Sequence, residues 1–365
     1  MKITFPHMGS SDIAIVELLR GFGNEVIPPP PPTKRTLDLG TRYAPEFACL
    51  PFKILLGTYL EAIEMGADTI ISSGGVGPCR AGYYLYLQDR ILKDLGYDVQ
   101  TIVLEPPRGH FVDLLRKIKG LINVPWSQAW RTIRLAWGKL HLLDHVEERA
   151  YYLRPREMVQ GMTTQVMKKC FSLIEKAADL KELREARHQV EETLNSIPLD
   201  PTAQPLKVGI IGEIYVVLEP FSNGDVAETL GELGVEVDRS IYLTSWTKEN
   251  AFLDFFRIEA ERDAQYWARP YLQEKIGGHG IVSVGKTVMY ARDGYHGVVH
   301  LAPFTCIPEI VAKGILAKVS ADHNIPVLTL YLDEHTGKEG VRTRLEAFVD
   351  LIRFGHRQQV AEGPY

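Results

Sequence analysis

A chain of 365 residues, 45% apolar and 24% charged, is an ordinary soluble composition spread over too many residues for one small core, which predicts two or three domains. Its formal net charge of −5 argues against a nucleic-acid partner, which calls for a basic face or stripe. No apolar run approaches the ~18–20 residues of a membrane helix, and Met1-Lys-Ile-Thr-Phe-Pro-His7 breaks too early for a signal peptide, so a cytoplasmic protein without a membrane partner is expected. Four cysteines are too few for a disulfide framework, and the absence of a CxxC pair excludes a zinc ribbon or ferredoxin-type loop.

The N-terminal part alternates strand and helix. Lys2–Phe5, Glu25–Ile27, Thr69–Ser73 and Val99–Leu104 read as strands. Ile13–Arg20, Phe52–Met65 and Arg80–Leu95 have helical spacing. Five prolines, Pro28–Pro32, interrupt this pattern as an extended connector. From about Gly109 to Asn195 strand signals almost vanish, and helices are expected over Phe111–Ile122, Trp126–Leu143, Glu157–Lys176 and Lys181–Leu194. Cys170 lies inside one of them and reads as a small core side chain. The linker Pro198–Pro205 opens a second alternating part, with strands at Lys207–Gly212, Val235–Asp238, Gly297–Leu301 and Val327–Tyr331. Its helices are expected at Phe221–Leu233, over much of Thr247–Lys275, and at Ile281–Arg292, Ile307–His323 and Val341–Arg353. Strands alternating with helices predict parallel sheets. The expected organisation is an N-terminal α/β domain (1–108), a helical middle segment with linker (109–205) and a C-terminal α/β domain (206–365), both α/β domains doubly wound and Rossmann-like.

Cys49 lies in Phe47-Ala-Cys-Leu-Pro-Phe-Lys53, Cys79 in Gly74-Gly-Val-Gly-Pro-Cys-Arg80 and Cys306 in Ala302-Pro-Phe-Thr-Cys-Ile-Pro308. Each stands where an irregular segment turns into a helix. The unpaired N–H groups and positive dipole there favour thiolate, the form that binds soft metals and iron–sulfur clusters. Cys79 and Cys306 follow apolar strands, at the edge where open parallel sheets bind ligands. Three such thiols meeting in a cleft between the domains would make a metal site with one position open. Three unrelated core or capping cysteines are the alternative on spacing alone.

Other residues carry weaker signals. The glycine-rich segment before Cys79 suits an anion or a bulky cluster, but it lacks the Gly-Lys-Ser/Thr ending of a P-loop and the GxGxxG spacing of a dinucleotide loop. Arg80 either pairs with an anion or caps this loop. His7, His279 and His300 are either non-cysteine ligands or satisfied structural histidines. Glu213, Glu219 and Asp333 leave strands at the ligand edge, as proton-transfer carboxylates or as loop charges and caps.

The segments around the three cysteines, together with Gly212-Glu-Ile-Tyr-Val-Val-Leu-Glu-Pro-Phe221 and Asp333-Glu-His-Thr-Gly337 through Arg342-Thr-Arg-Leu-Glu-Ala-Phe348, resemble the 2-hydroxyacyl-CoA dehydratase family. The resemblance is strongest to its branch of acyl-CoA dehydratase activase-related proteins, and it spans the chain apart from the helical middle. It implies a 4Fe–4S cluster held by Cys49, Cys79 and Cys306 in the inter-domain cleft, with one iron open to a small ligand or substrate. It also implies an ATP-hydrolysing iron–sulfur activator of the actin-like ATPase fold as electron donor. Family members use that electron for oxygen-sensitive, anaerobic dehydration of 2-hydroxyacyl-CoA (a lyase reaction) or for reduction of aromatic acyl-CoA (an oxidoreductase reaction). This chain carries no actin-like phosphate segments and no CoA-recognition motif, so it is expected to receive electrons, and its small-molecule substrate, an acyl-CoA in the relatives, is not specified. Lys53, Arg80 and Glu213 are expected as anion or supporting contacts at the site. A homodimer matches the paired subunits of relatives. The rival expectations are a non-catalytic electron-transfer or cluster-carrier protein and a zinc-bound structural protein with three cysteine ligands.

Overall fold

The computed structural model describes residues 1–74, 79–105, 111–248, 262–274 and 276–362. Eight strands are present among them: β1 (Lys2–Thr4), β2 (Glu25–Val26), β3 (Thr69–Ser73), β4 (Gln100–Leu104), β5 (Leu206–Gly212), β6 (Val235–Arg239), β7 (Gly297–Pro303) and β8 (Val327–Leu332). They form two four-stranded sheets, ordered β2-β1-β3-β4 and β6-β5-β7-β8. Every pairing is parallel. The strands of such sheets are covered on both faces and read as unbroken apolar runs. β7 is the clearest case, with all seven positions buried.

The two sheets share one topology. In each, the chain steps from the first strand to one side, then crosses back to pair the third strand with the first on its other side. Right-handed crossovers send the helices of these two directions to opposite faces. The carboxyl ends then part at a switch point, between β1 and β3 in one sheet and between β5 and β7 in the other, and a crevice there is the usual ligand position.

The chain divides into two compact units, neither continuous in sequence. The first contains Met1–Asp144, Phe171–His188 and Tyr242–Ala260; the second contains His145–Cys170, Gln189–Ile241 and Glu261–Tyr365. In the first unit, Leu50–Glu64 is a helix buried at every position from Leu50 to Ala62, Lys53 and Glu61 included. A neighbouring helix, Lys34–Tyr43, lies against it so closely that a Cβ on Gly57 would sit 1.9 Å from the Thr36 carbonyl oxygen, and one on Gly40 1.7 Å from that of Lys53. That second helix starts at Thr33, directly after the proline run, in a capping box with Thr36. The Thr36 hydroxyl also donates to Glu61 Oε2 at 2.6 Å. Segments distant in sequence are stitched to this unit by buried polar groups. Lys139, 1% exposed, donates to Glu17 Oε2 at 2.7 Å and to the Glu175 carbonyl at 3.0 Å. Asp144 Oδ2 accepts from Thr244 N at 3.0 Å and from its hydroxyl at 2.6 Å.

The middle of the chain is helical, over Phe111–Leu121, Trp126–Leu153, Met162–Lys176 and Leu180–Asn195. Two expected boundaries move. The helix from Trp126 continues ten residues beyond Leu143. The helix expected from Glu157 begins at Met162, because Glu157 forms an isolated antiparallel bridge with Leu199 and its carboxylate accepts from Gly161 N and Thr163 N, both at 2.6 Å. Glu157 thus caps the helix from outside it. Cys170 is fully buried, and burial pushes its thiol up to about 11, which agrees with a core side chain. The helix expected over Phe221–Leu233 is two pieces, Pro220–Asn223 and Val226–Glu232, parted by Gly224 and Asp225, both left-handed. Of the helical stretch expected over Thr247–Lys275, residues 249–261 and 275 lie outside the described residues, as do the 108/109 boundary and residues 75–78 of the glycine-rich segment; Arg262–Ala268 is helical. Among the described residues, no helix is long and apolar enough to cross a membrane.

Candidate functional site

All three singled-out cysteines occupy N-cap positions with extended backbone. Cys49 caps Leu50–Glu64 and Cys306 caps the helix Ile307–His323, each with proline in the first turn; proline there has no N–H to forfeit and its φ suits a helix start. Cys79 caps the 3-10 turn Arg80–Tyr83, which runs into the helix Tyr84–Asp94. No cysteine is in a disulfide. Cys79 and Cys306 occupy corresponding places, each beyond the third strand of a like sheet, β3 and β7. Cys49 and Cys79 belong to the first unit and Cys306 to the second.

Within the first unit the segments bearing Cys49 and Cys79 are tied together. Arg80 Nη1 donates to the Phe47 carbonyl at 3.0 Å, so Arg80 clamps one cysteine segment to the other while remaining exposed. The Tyr84 hydroxyl is hydrogen-bonded to Cys49 Sγ. Cys49 is 4% exposed and Lys53, a turn further along the same helix, is equally buried. His7 is buried at the exit of β1, across the switch point from β3.

In the second unit, backbone strain and a close approach shape the strand exits. Thr305, a β-branched residue, has φ +65°, a conformation held only by its surroundings, and it directly precedes Cys306. Gly212 ends β5 at φ +142°, where a Cβ would lie 2.1 Å from the Leu301 carbonyl oxygen of β7. Glu213 follows it, half-buried, with Oε2 accepting from Val216 N at 3.2 Å. Burial pushes the Glu213 carboxyl up to about 7, two backbone N–H groups oppose the rise, and Glu309 adds to it. A carboxyl that exchanges its proton near neutrality, at the β5–β7 switch point, is suited to proton transfer.

This shift sets a pH dependence. The folded protein keeps the Glu213 proton between the ordinary value of 4.5 and about 7, whereas the unfolded chain releases it. Stability is therefore complete below the ordinary value and falls as pH rises through about 7. Glu213→Gln keeps the cap and removes the slope. The variant should gain on wild type between pH 5 and pH 8.5, by at most about 3 kcal/mol at about 1.4 kcal/mol per pKa unit, as read by urea unfolding at the two pH values.

The remaining residues separate by role. His300, fully buried on β7, is hydrogen-bonded through Nε2 to Glu309 Oε2 at 2.9 Å and through Nδ1 to Thr329 Oγ1 at 3.2 Å. Ser283 Oγ donates to the same Glu309 oxygen at 2.8 Å, and Glu309 Oε1 is buried with no hydrogen-bond partner. His300 is thus a satisfied structural histidine. His279 is the N-cap of Gly280–Arg292, and burial lowers its pKa against the pull of Glu309. Glu219 caps Pro220–Asn223 by accepting from Phe221 N at 3.2 Å. Asp333 Oδ1 accepts from His335 N at 3.0 Å and the Thr336 hydroxyl at 2.8 Å, which makes it a turn cap. Tyr84, Ser283 and Glu309 were not anticipated; Glu309 stands three residues after Cys306, where an acid ordinarily reads as a complement to the helix dipole.

The donor type suits a soft-metal cofactor: three thiols outside any disulfide, each at the N-cap position of a helix or 3-10 turn. Within either unit, no group of three or more His, Cys, Asp or Glu side chains among the described residues is arranged as a metal site. No protein-family model matches the chain, and no match is found among curated proteins.

Proposed function

We propose that this chain is the electron-accepting component of an iron–sulfur-dependent reductase or dehydratase, with Cys49, Cys79 and Cys306 as ligands of a 4Fe–4S cluster. One observation carries the reading: three cysteines stand at the N-cap positions of two helices and a 3-10 turn, and two of them follow corresponding strands of two sheets with the same order. The motif resemblance to 2-hydroxyacyl-CoA dehydratases supports the same three residues. It also supports a Rossmann-like, doubly wound character for both units. When bound, the cluster supplies a low-potential electron, delivered by an ATP-hydrolysing activator, at an iron open to a small-molecule substrate.

The chain's own residues do the rest. Arg80 fixes the Cys49 and Cys79 segments to one another. Lys53, buried a turn from Cys49, adds positive charge against an anionic cofactor. Glu213 holds or releases a proton at the end of β5. The substrate is a small molecule, and the resemblance favours an acyl-CoA.

Anaerobic reconstitution followed by metal and sulfide analysis tests the assignment. About four iron and four acid-labile sulfide per chain are expected, with a spectrum that changes on adding small thiols or acyl-CoA compounds. Zinc without iron would replace the reading by a zinc-bound structural protein. An intact cluster indifferent to every added ligand would make the chain an electron-transfer or carrier protein.

A further inference from the structure

We propose that Tyr84 is a positioning residue of this site: its hydroxyl donates to the Cys49 sulfur and holds up the reduction potential of the cluster that Cys49 would ligate. The inference rests on the assignment of Cys49 as a ligand. Tyr84 is the first residue of Tyr84–Asp94 and stands five residues after Cys79, so the Cys79 segment itself carries the group that meets Cys49.

The tyrosine is held from the Cys49 side. Its ring meets Phe52, three residues into the Cys49-capped helix, edge to face, with centroids 5.2 Å apart and planes at 84°. One turn further on, Gln88, fully buried, donates from Nε2 to the Phe52 carbonyl at 3.2 Å. Two residues of one helix thus grip Phe52, and the hydroxyl is aimed at the sulfur three residues before it. A sulfur bound to metal carries no proton and can only accept, so the hydroxyl is the donor. Reduction adds negative charge to cluster and ligands, and a hydrogen bond to a ligating sulfur stabilises that charge. The neighbouring tyrosine hydroxyl of Tyr86 is engaged elsewhere, donating to Glu105 Oε1 at 2.8 Å.

Tyr84→Phe removes the hydroxyl and keeps the ring on Phe52. In an anaerobic redox titration of the reconstituted protein followed by EPR, the variant's midpoint should fall by about 59 mV, a tenfold change in a one-electron equilibrium. Tyr86→Phe should leave the midpoint in place. A midpoint unchanged in Tyr84→Phe, with iron and sulfide content equal to wild type, overturns this inference and leaves the cluster assignment standing. A wild-type chain that takes up no iron or sulfide overturns both. Iron-free protein gives a second readout that does not depend on the variant holding a cluster: the hydroxyl is hydrogen-bonded to the Cys49 sulfur and sets its thiolate character, so the rate of Cys49 alkylation by iodoacetamide, followed by mass spectrometry, should change severalfold in Tyr84→Phe relative to Cys306. Equal ratios in variant and wild type overturn the inference independently.

Discussion

Cys79→Ser should yield a folded chain that has lost most of its iron and sulfide uptake. Serine is among the best N-cap residues, and Cys79 is an N-cap with extended backbone at a partly exposed position, so the local fold survives the exchange. What disappears is the thiolate, and a hydroxyl does not replace it toward a soft metal. Cys49→Ser and Cys306→Ser should behave alike, because both also cap helices. Cys170→Ser is the contrast: it should take up iron and sulfide as wild type does, with a lower unfolding midpoint, since it places a hydroxyl at a fully buried site. Iron and sulfide assays after anaerobic reconstitution, with circular dichroism to confirm folding, separate the four variants. A full complement in Cys79→Ser would remove that residue from the ligand set.

Gly57→Ala should destabilise the first unit by about 3 kcal/mol, against the usual gain of about 1 kcal/mol when alanine replaces glycine in a helix. The sign is decided by space. The new methyl group would lie 1.9 Å from the Thr36 carbonyl oxygen, backbone that has no rotamer by which to yield. The two helices must separate, and one of them carries Cys49 at its start. Loss of cluster binding should therefore accompany the loss of stability. Gly314→Ala, within Ile307–His323, supplies the opposite case, because nothing lies within 4 Å of its added Cβ; it should stabilise by roughly 0.5–1 kcal/mol. Urea unfolding midpoints of the two variants, taken together, test the close helix pair.

The local units of this fold were readable because their signals are local. Thr69–Ser73 and Ile307–His323 run in the structure over the residues that pattern alone assigned them. The helix after Cys49 starts two residues before the expected Phe52, at Leu50, because Pro51 fits the first turn of a helix and does not break it. The helix Lys34–Tyr43 escaped notice, since it follows five prolines and buries Thr36 and Gly40 beside only one leucine, Leu37. Its helicity depends on a partner helix, which no window of sequence contains. The site divides in the same way. The three helix starts were legible; Arg80 was expected to pair with an anion or cap the glycine-rich loop, and the contact it makes is with the Phe47 carbonyl of the Cys49 segment. The contacts that organise the site join Tyr84 to Cys49 and Glu309 to His300. These depend on how helices pack on strands, which periodicity does not encode. The shared strand order likewise follows from the crossovers and from no single strand.

Asp144 and Thr244, joined by two hydrogen bonds across a separation of 100 residues, set a schedule for the nascent chain. A ribosome moving at ~5–20 residues per second needs roughly 5–20 s to deliver the second partner after the first. Throughout that interval the first sheet has already emerged, while the segment that completes its unit is still being translated. A half-finished unit with an uncovered acidic seat is the species that chaperones would meet during synthesis, and slower translation between these two positions would lengthen its exposure.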